Sequence, residues 1–260
     1  MAKKKVKRKL KNKLKNLIKR LSMVIVIIIL IITAVKAGEY YLTYNEELKP
    51  ISHEKEYYNI SDFGFIREKS DSDYDEDGID DYTEFLNGEK KYAEFNPKYI
   101  SKYYAGGYPP VEEEGVCTDL VWYSFKEAGY SLKDMIVCDI HEEAKKDTYG
   151  IEIIDDNIDF RRVGNQEIFF QRYAKTLDND IYNVGEFMPG DIISFDYSSH
   201  IAMISDKYNV HGVPYLIQNR DETQKEKEED RLEVTDMEVT GHYRFEYNEK
   251  IQELINRMST

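Results

Sequence analysis

The chain has 260 residues, enough for one good-sized domain with appendages, and carries 50 acidic against 36 basic side chains, a net charge of −14. The charge is segregated: residues 1–36 hold 12 of the 36 Lys and Arg and no acid, leaving 24 basic against 50 acidic residues, a net of −26, in the remainder. A polyanion would be repelled by that body, so nucleic acid is not an expected partner; the basic arm alone suits anionic lipid or nucleic acid.

In chain order, residues 1–20 read as a basic cytoplasmic arm. It leads into an uninterrupted apolar run from Leu21 to Val35, "LSMVIVIIILIITAV". This run is longer than a typical signal-peptide core and shorter than a full transmembrane helix. Arg20 and Lys36 can snorkel at its ends, and Tyr40 and Tyr41 suit an interface. We therefore expect residues 21–37 to be a transmembrane anchor, or else a signal removed after Ala37. Both readings put residues 38–260 outside the cytoplasmic membrane. Residues 38–70 are polar, Tyr-rich and weakly periodic, and read as a stalk.

The segment 71–98 contains "DYDEDGIDDYTE", residues 73–84. Asp73, Asp75 and Asp77 alternate, Gly78 follows, Ile79 offers a carbonyl at the seventh place, Asp81 stands ninth and Glu84 twelfth. This is the ligand spacing of a calcium loop, in which glycine permits the sharp turn and a terminal glutamate closes the shell. Calcium is the expected structural cofactor. The residue after Gly78 is apolar one place earlier than in helix-loop-helix sensors, closer to the short Asp-x-Asp-x-Asp-Gly loops of exported bacterial proteins.

Residues 99–260 read as the main domain. Within "YYAGGYPPVEEEGVCTDLVWYSF", residues 103–125, Cys117 follows a glycine-containing turn and opens an apolar-periodic segment. Leu120, Val121, Ser124, Phe125 and Ala128 recur at three- and four-residue spacings, which predicts one buried helix face. Cys117 then sits in the first turn, where unpaired N–H groups and the helix dipole favour a thiolate. The thiol is expected to titrate below the ordinary cysteine value, and the alternative is a small buried hydrophobe. The second cysteine, Cys138, lies in a packed segment, and both thiols are expected to be free.

A reactive thiol needs a base oriented by a third polar group. His200 opens the strand "HIAMISD", preceded by the turn and strand "PGDIISFD" and followed by the strand "PYLIQN", residues 214–219. An antiparallel return brings Gln218 or Asn219 beside His200, and alternation allows only one of them to face it. The tract "RDETQKEKEEDR", residues 220–231, reads as a mobile solvated loop at the cleft rim. Arg161 and Arg162 suit either a substrate carboxylate or internal pairing, and Asp119 suits either capping or pairing. Ile251, Leu254, Ile255 and Met258 mark a closing amphipathic helix.

The ordered blocks "GGYPP", "GVCTDLV", "NIDFRRVGN", "PGDIIS", "HIAMISD" and "GHYR", between about Tyr103 and Arg244, resemble the bacterial domain-of-unknown-function family 1287, and more widely the NlpC-type, papain-like cell-wall cysteine peptidases. The resemblance implies an α+β papain-like fold, a nucleophile helix packed on an antiparallel sheet. It also implies an extracytoplasmic enzyme that cleaves amide bonds in peptidoglycan peptides through a thioester. By position it makes Cys117 the nucleophile, His200 the base, Gln218 the third polar residue with Asn219 as the alternative, and Tyr103 a tyrosine lining the site. Departures are Phe160 and Gly164 where the narrower family tends to have histidine and proline, and Gln218 where it favours histidine. The competing expectation is a catalytically silent, calcium-stabilised wall-binding module on the same fold.

Overall fold

The computed structural model describes residues 32–36, 56–143 and 147–259. The chain divides into two compact units, Met1–Lys55 and Glu56–Thr260. Of the anchor or signal expected over residues 21–37, only 32–36 are described, as helix. The rest of that expectation, the basic arm and residues 38–55 of the stalk lie outside the described residues. Among the described residues no helix is long and apolar enough to cross a membrane.

The second unit is α+β. Among its described residues five α-helices, α1 (Asp81–Phe95), α2 (Cys117–Glu127), α3 (Leu132–Glu143), α4 (Val163–Tyr173) and α5 (Glu249–Met258), accompany eight strands. Strands β1 (Lys98–Tyr99) and β2 (Glu114–Gly115) form a small parallel pair. The other six are β3 (Lys175–Thr176), β4 (Ile192–Phe195), β5 (His200–Tyr208), β6 (Pro214–Ile217), β7 (Glu228–Glu229) and β8 (Val239–Arg244). They make one antiparallel sheet in the order β3-β8-β4-β5-β6-β7.

Strand alternation divides the core between the faces of this sheet. Ile192, Ile201, Met203, Ile217 and Tyr243 pack into the helical side with Leu120, Val121 and Phe125 of α2. Ile193, Phe195, Ala202, Ile204 and Leu216 pack on the other side with Phe187, Val213 and Leu232. Leu120, Val121 and Phe125 are fully buried, each contributing roughly 1.5–3 kcal/mol of burial free energy. Helix α1 lies tightly on α2 because Gly88 has no side chain. A Cβ there would come within 2.7 Å of the Ser124 Cα, a contact only glycine avoids.

Two expected boundaries are corrected. The stalk was expected to run to residue 70, but Tyr58 exchanges both backbone hydrogen bonds with Tyr208, at 2.8 Å each, and packs through Phe63 onto the Tyr208 ring. Aromatic side chains and paired backbone commit this part of the segment to the domain. Nor do residues 98 and 99 separate two domains, since α1 and α2 share one core. Helix α1 is capped by Asp80, whose carboxylate accepts from the Thr83 N–H and hydroxyl. It stops at Asn96, left-handed at φ 48° and followed by Pro97, a combination that cannot continue a helix.

Candidate active site

The nucleophile turn is built from the backbone outward. Parallel pairing sets Tyr99 opposite Gly115, and a Cβ at Gly115 would meet the Tyr92 hydroxyl at 2.8 Å. Helix α2 then opens with Cys117 as its first residue. Asp119, in the first turn, accepts from the Val116 N–H at 2.8 Å, capping the helix in place of the side-chain oxygen that Val116 lacks. The same carboxylate takes the Trp122 indole N–H and two nitrogens of Arg161, all within 2.8 Å. Arg161 also donates to the Lys102 carbonyl and lies over the Tyr104 ring. Asp119 and Arg161 therefore clasp the start of α2, and Arg162 pairs with Asp159. Arg161 is buried in this internal pairing, whereas the Arg162 side chain remains largely exposed.

Cys117 and Cys138 are both free. Cys117 is buried, with the backbone N–H of Ile201 directed at its sulfur. Burial pushes its thiol up to about 11, against the lowering effect of N–H groups from Ile201, Thr118 and Cys117 and with a further raise from Asp119. The expectation of a depressed value is thus corrected: loss of solvent around the sulfur outweighs a helix-end contribution of roughly 1 kcal/mol. Cys138 is also raised, by burial first.

His200 opens β5, immediately before the Ile201 that touches Cys117. Its Nε2 lies 2.8 Å from the Gln218 Oε1. Burial lowers its pKa, Gln218 raises it, and the charges of Arg220 and Asp221 act in opposite directions. The Gln218 amide is oriented from behind, because its Nε2 donates to the Glu229 carboxylate at 3.2 Å. A carboxylate only accepts, so Gln218 must present oxygen to His200, and the imidazole must carry its proton on Nε2. The Nδ1 lone pair is left available, and among the described residues neither it nor the Cys117 sulfur has a side-chain hydrogen-bond partner.

Asn219, the alternative third residue, turns the other way. Its Nδ2 donates to the Gly115 carbonyl at 3.0 Å and the Tyr92 hydroxyl at 3.1 Å, holding the nucleophile turn. Tyr103 is 57% exposed and accepts from Asn157. Tyr99 and Tyr92 are both within electrostatic reach of Cys117; the Tyr92 hydroxyl is engaged by Asn219, and that of Tyr99 is raised by burial, then by Cys117, Asp119 and Asp221. The tract 220–231 is loop over most of its length, as its composition suggests, but Glu228 and Glu229 are strand. Strand β7 pairs with β6 and supplies Glu229, while Arg220 and Asp221 form an ion pair near His200. Tyr99, Glu229 and the Arg220–Asp221 pair had no sequence signal of their own.

The acidic loop stands apart from these residues. Carboxylate oxygens of Asp73, Asp75 and Asp77 lie within 4.8 Å of one another, a separation at which like charges repel by roughly 1 kcal/mol per pair even in water. Burial and the charges of Asp75, Asp77, Asp81 and Asp73 push Glu84 up to about 7. Asp81 is engaged elsewhere, accepting from the Ser72 hydroxyl, the Tyr74 N–H and the Tyr130 hydroxyl.

The chain is 29% identical over 160 residues to the "Uncharacterized protein YijF" of Escherichia coli (strain K12), covering 58% of this chain and 73% of that protein. No solved structure matches it. The family described as Domain of unknown function (DUF1287) matches residues 86–245, which take in Cys117, His200, Gln218 and Glu229 and leave the acidic loop outside. The chain belongs to this family.

Proposed function

We propose that the domain is a papain-like cysteine hydrolase of the NlpC type, acting on amide bonds of peptidoglycan peptides. The observation that carries this reading is the relay from Glu229 through Gln218 to His200, which fixes one tautomer on the residue preceding Ile201, whose N–H is directed at the Cys117 sulfur. The Nδ1 of His200 takes the proton of Cys117 as the sulfur attacks the carbonyl carbon. The imidazolium then returns that proton to the departing amine, leaving a thioester. Water adds to the thioester with His200 again as base, and release of the carboxylate restores the thiol. The Cys117 N–H at the helix start is available to the oxyanion, with Tyr99, which feels the Cys117 charge, as the accompanying tyrosine.

The full chain incubated with purified cell-wall fragments should yield products whose masses sum to substrate plus one water. Cys117→Ala should abolish them. Turnover that survives Cys117→Ala would overturn the cysteine-hydrolase reading. The rival, a wall-binding module without chemistry, is favoured by one observation, the burial that keeps Cys117 protonated. It requires wall binding with no product from the unmutated chain.

This substrate lies outside the cytoplasmic membrane, in keeping with the basic arm before an apolar run. Protease added to intact protoplasts of an expressing bacterium should digest the main body, and protection of that body would contradict the topology.

A further inference from the structure

The loop before α1 gathers charge that the hydrolytic site does not use. Main-chain N–H groups of Asp77 and Gly78 donate to the two oxygens of Asp73, that of Ile79 donates to Asp77, and Gly78 takes φ +97° to make the turn. An exposed acidic cluster is ordinary on a protein surface. Glu84 is not ordinary: it is only 4% exposed, and its Oε2 is buried with no hydrogen-bond partner among the described residues. The charges nearest its influence are those of Asp75 and Asp77. A buried carboxylate oxygen with no donor, under the influence of these carboxylates, is unfavourable unless a cation compensates it.

The donors are all oxygens, with no nitrogen or sulfur among them. That chemistry suits a hard cation, and a set of four carboxylates with a carbonyl approaches the six to eight oxygens calcium takes. Asp81 does not belong to the set. Its two oxygens accept from Ser72, Tyr74 and Tyr130, and Tyr74 stacks on Tyr130 with ring centres 4.1 Å apart. A Cβ at Gly129 would strike the Asp75 Cβ at 2.7 Å. The loop is thereby seated on the turn that follows the nucleophile helix.

We propose that Asp73, Asp75, Asp77 and Glu84, with the main-chain carbonyl of Ile79, bind one calcium ion, and that Asp81 is a strut to Tyr130 and not a ligand. This site is independent of the hydrolase reading. Bound calcium would join the start of α1 to the turn after α2, at the opposite end of that helix from Cys117.

Isothermal titration of the full chain with calcium chloride should give one site per chain. A hundredfold excess over the dissociation constant should raise the melting temperature by about 5–10 °C. Magnesium chloride should bind at least tenfold more weakly. Glu84→Gln keeps shape and relieves repulsion, so it should melt no lower than the unmutated chain without calcium, and should lose at least tenfold in calcium affinity. Asp81→Asn should retain one calcium per chain. No heat and no melting shift at millimolar calcium, or undiminished binding by Glu84→Gln, would overturn the site. Equal losses in Asp81→Asn and Glu84→Gln would overturn the strut, and magnesium binding as tightly as calcium would overturn the choice of ion.

Discussion

Two histidines are buried in the same sheet, and their surroundings are built to different ends. His242, on β8, has both nitrogens engaged, Nδ1 on the Asp178 carbonyl at 2.7 Å and Nε2 on Asp191 at 2.9 Å, and its ring stacks on Phe187. Asp191 also receives two nitrogens of Arg244 at 2.7 Å each. His200, on β5, has one nitrogen held by Gln218 and the other without a partner among the described residues. A satisfied network rigidifies and has no capacity left for chemistry. A ring held at one nitrogen is oriented but still able to accept a proton, so the spare lone pair, more than the presence of histidine, separates a candidate base from a structural residue.

The largest expected effect tests that contrast through stability. Asp191→Ala leaves Arg244 and His242 buried without their carboxylate, and breaking such a network costs roughly 3–5 kcal/mol, a fall of roughly 10 °C in melting temperature for a domain of this size. His200→Ala strands only the Gln218 oxygen, a cost of about 1–3 kcal/mol. Thermal melts of the two variants check the order. Equal losses, or a larger loss for His200→Ala, would erase the distinction between the two regions.

Local pattern was informative wherever the answer was local. The spacing of Leu120, Val121, Ser124, Phe125 and Ala128 predicts the buried face of α2, and alternation predicts the β5–β6 return that brings Gln218 to His200. It left Gln218 and Asn219 undecided, because adjacent residues on a strand differ only in facing, which tertiary packing decides. The thiol was misjudged for a related reason: a helix start is visible in sequence, whereas the burial that outweighs it comes from tertiary packing that no local pattern shows. Tyr103 and Tyr99 are chemically alike, and only a two-residue strand pairing sets Tyr99 opposite Gly115 while Tyr103 lies outside it. Residues 220–231 are charged enough to read as solvated loop, yet Glu229 acts only because β7 pairs with β6. "PGDIIS" and "GHYR", which carried part of the family resemblance, meet as the Asp191, His242 and Arg244 network.

A smaller and sharper effect is expected in the pH dependence of the reaction. Burial lowers the pKa of His200, with Gln218 acting against it. The folded value thus lies below the ordinary value of about 6.5. Its stabilising contribution, that of a ring buried neutral, is present above that ordinary value and is lost as pH falls through the lower folded one. The same sign governs catalysis, since the ring must be neutral to accept the Cys117 proton. The acid limb of kcat/KM, which reports the free enzyme, should fall below pH 6.5. Gln218 accepts from Nε2–H and so favours the imidazolium. Gln218→Ala should move the acid limb to still lower pH and reduce kcat by on the order of tenfold to a hundredfold, part of what a positioned base supplies. Asn219→Ala acts on the nucleophile turn through Gly115 and Tyr92, so it should lower kcat less and leave the limb in place. Glu229→Gln, which lets the Gln218 amide rotate, should fall between them. Alkylation of Cys117 by iodoacetamide should keep rising toward pH 11, where its buried thiol ionises. An acid limb above pH 6.5, or a limb moved by Asn219→Ala but not by Gln218→Ala, would break the assignment of Gln218 as the residue that sets the state of His200.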